Sequence, residues 1–154
     1  MSEHDGFMDI ALDEARAGLA AGEQPFGAVI VRNGDVVVQS RSLKVSTGDS
    51  TAHAELLAIR HATTSLGTRT LPDCTFYGTC EPCPMCLGAM FNAGIERLVL
   101  GARLADLGDL AFAFKDYSVE SFAAMTGWQL DLVEGVRFDE CTALYVDPTV
   151  KFSR

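Results

Sequence analysis

The sequence predicts an α/β fold in which helices cover both faces of a mixed sheet. Segments with helical periodicity alternate with short runs of strand formers along the 154 residues. Asn33-Gly34 stands between the first two strand runs, a strong hairpin signal because both turn positions want positive φ. That makes one strand pair antiparallel and the five-stranded sheet mixed. No Pro-, Gly- or Ser-rich linker divides the chain, so residues 1–154 read as a single domain.

The elements follow in order. Phe7, Ala11, Ala15 and Leu19, with Met8 and Leu12 alongside, place an amphipathic helix that ends near Gly22. Glu23-Gln24-Pro25 breaks it. Ala28 to Val31 and Val36 to Val38 are the two arms of the hairpin. Residues 42–51 are polar and read as a loop. Asp49, Ser50 and Thr51 offer N-cap oxygens for a helix over about 52–65, which Gly67 stops. Cys74 to Tyr77 is a short strand. A helix runs from about Pro84 to Ala93, and Leu98 to Leu100 is another strand. Residues 101–117 look irregular. A helix over about 118–125, a strand over 128–133 and a helix over 138–146 complete the order, with Asp147-Pro148 as the stop.

Charge and composition exclude several classes. The net charge of −9 weighs against broad contact with phosphates, which needs clustered Lys and Arg. Residues 104–147 hold nine acidic side chains against Lys115 and Arg137, so nucleic acid is disfavoured as a partner. No apolar run nears the roughly 20 residues that span a bilayer. Met1 to Asp5 lacks the basic n-region of a signal peptide, and the five cysteines are an odd count. A cytoplasmic protein with reduced thiols and no membrane association is expected.

Two predicted helix starts carry the chemistry: Thr51-Ala52-His53-Ala54-Glu55 and Glu81-Pro82-Cys83-Pro84-Met85-Cys86. Pro84 suits the first helical position, having no N–H and a fixed φ. Cys83 is then the N-cap and Cys86 lies one turn in. The unpaired N–H groups and the helix dipole favour thiolates there. Two thiolates at this spacing form half of a zinc site, and His53 can supply a third, neutral ligand. Three protein ligands leave the fourth position for water, the catalytic arrangement, and zinc lowers the pKa of such a water to about 7. Glu55 can reach over the same open helix end as a general acid and base. Two competing readings give Glu55 no role. One is a structural zinc site with Cys80 as fourth ligand, and the other is a thiol–disulfide pair.

His-x-Glu followed by Pro-Cys-x-x-Cys is the signature of the zinc deaminases. The chain resembles the cytidine/deoxycytidylate-type zinc deaminases over at least Phe7 to about Ala102. It is most similar to the small branch holding bacterial guanine deaminase, fungal cytosine deaminase and bacterial tRNA adenosine deaminase. The resemblance rests on Pro25 to Val31, Thr51 to Glu55, and Cys80 to Ala89. Cys80 to Ala89 looks most like guanine deaminase. Glu134-Gly135-Val136 with Asp139-Glu140-Cys141 is more like the tRNA deaminases.

The resemblance implies a three-layer α/β/α cytidine-deaminase-like fold and a homodimer or larger assembly. It implies one zinc ion per chain on His53, Cys83 and Cys86, with Glu55 as proton shuttle. It also implies a substrate pocket at Phe26, Ser42 and an acidic residue such as Asp109, and Ala54, Pro82, Phe112 and Phe114 are further candidates for it. Phe26 packs on the base or in the core, and Phe112 and Phe114 close over a planar ring or form a dimer contact. The family pattern has Asn where this chain has Ser42, eleven residues before His53. Asp106, Asp109 and Asp116 are candidates for an acidic contact to a purine. Phe152 reads as part of a frayed end, with a lid over the site as the alternative. Trp128, Tyr145, Cys74 and Cys141 read as core, His61 as solvated and His4 as disordered.

The expected activity is hydrolytic deamination of a free aminated heterocycle, guanine first. The alternatives are cytosine or another amino-pyrimidine or triazine, then adenosine in a tRNA anticodon loop, then a catalytically silent zinc scaffold.

Overall fold

The computed structural model describes residues 2–110, 114–146 and 150, without the side chains of 108–110. Five strands form one sheet: β1 (Gly27–Arg32), β2 (Asp35–Arg41), β3 (Cys74–Cys80), β4 (Arg97–Ala102) and β5 (Asp131–Val133). Their order is β2-β1-β3-β4-β5. β1 runs antiparallel to both β2 and β3, whereas β3, β4 and β5 are parallel. The mixed sheet therefore matches expectation. Asn33 and Gly34 take φ of 52° and 80°, the positive values that the hairpin turn requires.

Strand alternation divides the core between the two faces. Ile30, Phe76, Leu98 and Leu100 face three helices: α3 (Ala54–Leu66), α4 (Pro84–Asn92) and α5 (Val119–Thr126). Val29, Val31, Tyr77 and Val99 face α1 (Glu3–Ala20) and α6 (Phe138–Ala143). Trp128, Tyr145, Cys74 and Cys141 pack in these layers, as expected, and His61 is exposed.

Several boundaries differ from expectation. α1 starts at Glu3 because Ser2 and Asp5 form a capping box. His4 is consequently ordered, with its Nδ1 2.8 Å from the Tyr77 hydroxyl. The polar loop after β2 contains a short helix, α2 (Lys44–Thr47). Residues 104–110 form a 3₁₀ turn rather than irregular chain. β5 is only three residues long, because Trp128 N–H closes the end of α5 on the Ala123 carbonyl. α6 stops at Ala143 instead of 146.

The topology gathers the site at one sheet end. Gly27 at the start of β1 pairs with Arg41 at the end of β2, and Ala28 pairs with Gly78 near the end of β3. Phe26, Ser42 and the Cys80–Cys83 segment therefore emerge side by side. Gly27 N–H fastens the junction by donating to Thr79 Oγ1 at 3.1 Å.

Candidate zinc active site

Two helix N-termini meet at this end. Cys83 is the N-cap of α4 with Pro84 behind it, as predicted. The start of α3 differs from expectation. Its N-cap is His53, which makes no side-chain cap bond, while Asp49 instead accepts from Thr51 N–H and Oγ1 at 2.9 and 2.7 Å. The hydroxyl-bearing residues thus build the turn before the helix. The imidazole is left free to face the cysteines.

His53 Nδ1 lies 3.6 Å from Cys83 Sγ and 3.5 Å from Cys86 Sγ. Zinc bonds of about 2.3 Å to sulfur and 2.0–2.1 Å to nitrogen, at a tetrahedral angle, place N and S about 3.6 Å apart. The spacing fits a single zinc ion, and all three ligand atoms lie within 4.8 Å of one another. Cys80 is not in this cluster. Its buried thiol packs with Tyr77, Val99 and Cys141 on the opposite face of the sheet, which removes the four-ligand structural alternative.

The local electrostatics suit a cation. The Cys86 thiol, together with His53, holds Cys83 down to about 4 despite its burial. The hydrogen bond with Cys83 and burial push the Cys86 thiol up. Hydrogen bonding to Cys83 raises His53. Glu55, at the second position of α3, is buried, with Oε2 3.7 Å from Cys86 Sγ. Burial, then the Cys83 charge, pushes its carboxyl up to about 7.

The flanks hold other expected residues. Phe26 is half-buried, touches both core layers, and its ring centroid is 5.4 Å from that of Tyr145. Ser42 is buried, and its N–H donates to the Phe26 carbonyl at 3.3 Å. Ala54 is buried at the first position of α3, where a helix leaves its N–H without an intrahelical acceptor. Pro82 is buried and its carbonyl accepts from Tyr117 Oη. Phe114 stacks edge-on against Tyr117 at 5.6 Å. Asp106 is exposed and caps its own turn by accepting from Arg103 N–H at 2.8 Å. Asp116 is exposed. Phe112, Phe152 and the Asp109 side chain lie outside the described residues.

Sequence reasoning missed two buried carboxylates beside the site. Glu23 accepts from Val45 N–H and Ser46 N–H at 2.9 and 2.8 Å, capping α2 across a turn. Burial pushes its carboxyl up, but the hydrogen bonds from Ser46 and Val45 outweigh that and hold it below its ordinary value. Glu81 accepts from Leu104 N–H and Val119 N–H. Tyr117 was missed as well. Each of these bonds joins residues 22 or more positions apart, so no local pattern announces them.

The model of the cytidine and deoxycytidylate deaminase zinc-binding region matches residues 1–102. The chain belongs to this family. A tRNA-specific adenosine deaminase of Bacillus subtilis is 36% identical over 141 residues, covering 92% of this chain and 85% of its own. A guanine deaminase of the same organism is 41% identical over 110 residues, covering 71% of this chain and 70% of its own. A solved guanine deaminase from Nitrosomonas europaea superposes with a TM-score of 0.82 at 27% identity, over 92% of this chain and 81% of that one. As a zinc-dependent deaminase, the chain acts on a cyclic amidine C–N bond. None of the helices among the described residues is long and apolar enough to cross a membrane.

Proposed function

We propose that the protein deaminates a free aminated nucleobase, guanine to xanthine, in a single domain of residues 1–154 that works as a cytoplasmic homodimer. Water adds to the amino-bearing ring carbon, the C–N bond breaks, and ammonia leaves as the carbonyl forms. Zinc on His53, Cys83 and Cys86 supplies Lewis-acid activation of that water. Glu55 takes one proton from the water and passes it to a ring nitrogen, then moves the second, from the new hydroxyl, to the departing amine, work worth typically 10²–10⁴-fold. Phe26 and Phe114 offer ring faces to the base, and the Ala54 N–H, Ser42 hydroxyl and Pro82 carbonyl offer edge contacts. Asp109 and Phe112 complete the proposed pocket.

The observation that carries a small base over tRNA is the occupation of the arginines. Arg16, Arg32, Arg41, Arg97, Arg103 and Arg137 each lie within ion-pair distance of a carboxylate. In a chain of net charge −9 this engages six of the twelve Lys and Arg side chains, which weighs against broad phosphate contact. Arg60 and Arg69 line a groove of about 560 Å³ between α3 and α4. It runs toward the helix C-terminal ends, whose dipoles attract cations rather than anions.

Similarity to the Bacillus tRNA deaminase over nearly the whole chain favours the second reading, adenosine in a tRNA anticodon loop. Ser42, in place of Asn, leaves room for a third, a cytosine-like amino-pyrimidine or triazine. An ammonia-release panel over guanine, cytosine, an aminotriazine and a tRNA transcript tests all three. Turnover of guanine above the other substrates supports the proposal, and no turnover of guanine refutes it.

A further inference from the structure

The Glu81 side chain is buried two residues ahead of the first thiolate ligand, yet it points away from the metal cluster. Its two oxygens take separate backbone donors: Oε1 accepts from Leu104 N–H at 2.9 Å and Oε2 from Val119 N–H at 3.0 Å. These amides sit at the start of the 3₁₀ turn and the start of α5. Arg103, 3.4 Å from Glu81 Oε1, reaches on to Glu120 at 2.6 Å and Glu134 at 2.9 Å. Close by, the Tyr117 hydroxyl donates to the Pro82 carbonyl, and Phe114 packs edge-on against the Tyr117 ring. That bond sets Tyr117 beside the turn that carries Cys83, since Pro82 is the residue immediately before it.

We propose that Glu81 is a positioning residue of the deamination. By binding Leu104 and Val119 on opposite oxygens, its carboxylate holds the Phe114–Tyr117 wall against the turn that carries Cys83. The wall touches substrate and Glu81 does not, so Glu81 governs grip on the base and leaves the metal ligands and the proton shuttle intact. A carboxylate is needed because both partners are donors. Glutamine offers one oxygen and one NH₂, which would face one backbone N–H donor to donor.

Glu81→Gln is the test, made in the zinc-loaded full chain. Zinc should remain at one ion per chain, and the backbone amides of residues 104 and 119 should exchange faster with deuterium. With guanine as the probe, KM should rise about tenfold, the equivalent of one lost charge-assisted hydrogen bond, while kcat changes by less than about twofold. Glu120→Gln, on the exposed side of Arg103, should leave all three readouts at wild-type values. Wild-type exchange at both amides, an unmoved KM, or loss of zinc from a folded Glu81→Gln protein would each overturn the proposal. Tyr117→Phe leaves the clamp in place and should raise KM with no change in exchange at 104 and 119. An unmoved KM in that variant overturns the role of the wall even if Glu81→Gln does not fold. The kinetic readouts rest on guanine being the substrate. Amide exchange is read without substrate and decides the clamp whichever base is turned over.

Discussion

Replacing Gly27 by alanine should destabilise the protein by several kcal/mol, because β1 and α1 touch there without a side chain between them. A Cβ on Gly27 would lie 1.8 Å from the Ala11 carbonyl oxygen, 2.8 Å from its carbon and 2.9 Å from Ala15 N. These are backbone atoms of α1, so no rotamer change relieves the overlap. Reaching even a 3.0 Å contact requires α1 to retreat by about 1.2 Å. Met8 and Leu12, both fully buried on that helix, would withdraw from the sheet with it. A gap of about 0.5–1 Å forfeits a quarter to a half of the dispersion well. Burying each such side chain contributes about 1.5–3 kcal/mol. The loss over the two is about 1–3 kcal/mol, and residual overpacking adds about as much again. In a chain of this length each kcal/mol moves Tm by about 2–4 °C, so a loss of about 2–6 kcal/mol should lower Tm by about 4–24 °C. Thermal unfolding of the zinc-loaded variant beside the wild type measures it. A Tm within about 1 °C of wild type would refute the reasoning, since it would mean that α1 is not seated on Gly27 as the distances require.

Other expectations follow from the same geometry. Cys83→Ser should abolish stoichiometric zinc binding and turnover together, read by metal analysis and ammonia release; full zinc occupancy in that variant would contradict the ligand set. Glu55→Gln keeps the shape of the side chain and should retain one zinc per chain while kcat/KM falls by at least about 10²-fold, or about 2.7 kcal/mol in the barrier. The Glu23 carboxyl is held below its ordinary value of 4.5, so its stabilising bonds to Val45 and Ser46 are fully present above that pH and are lost as pH falls through the lower, folded value. Acid unfolding curves should therefore show a smaller loss of Tm below pH 4.5 for Glu23→Gln than for wild type.

Much of the fold was legible because local rules and the tertiary structure agree. Asn33-Gly34 readily takes the positive φ that a two-residue hairpin turn requires, and Pro84 after Cys83 presets a helix start. The alternation of residues in β1 and β3 separates the two cores by itself. The metal site was legible for a related reason, since Cys83 with Cys86 and His53 with Glu55 each lie within one helix start. His53 defeated the capping rule because the helix cap and the metal ligand compete for the same position. The imidazole is spent on the cysteines, and the turn from Asp49 to Thr51 takes over the work of entering the helix. Glu23, Glu81 and Tyr117 were illegible because nothing near them in sequence marks a residue that will bond a backbone more than 20 positions away. The proposed pocket wall rests on such long-range bonds, and for that reason the chemistry could be read from the sequence more readily than the substrate.

Turnover of a free base at this zinc site is read most directly as product formation by the zinc-loaded protein given guanine together with an equimolar tRNA transcript. Xanthine and ammonia should form in equal amounts, with the tRNA unaltered and both products lost in Glu55→Gln. Inosine in the tRNA with guanine left intact would contradict free-base turnover.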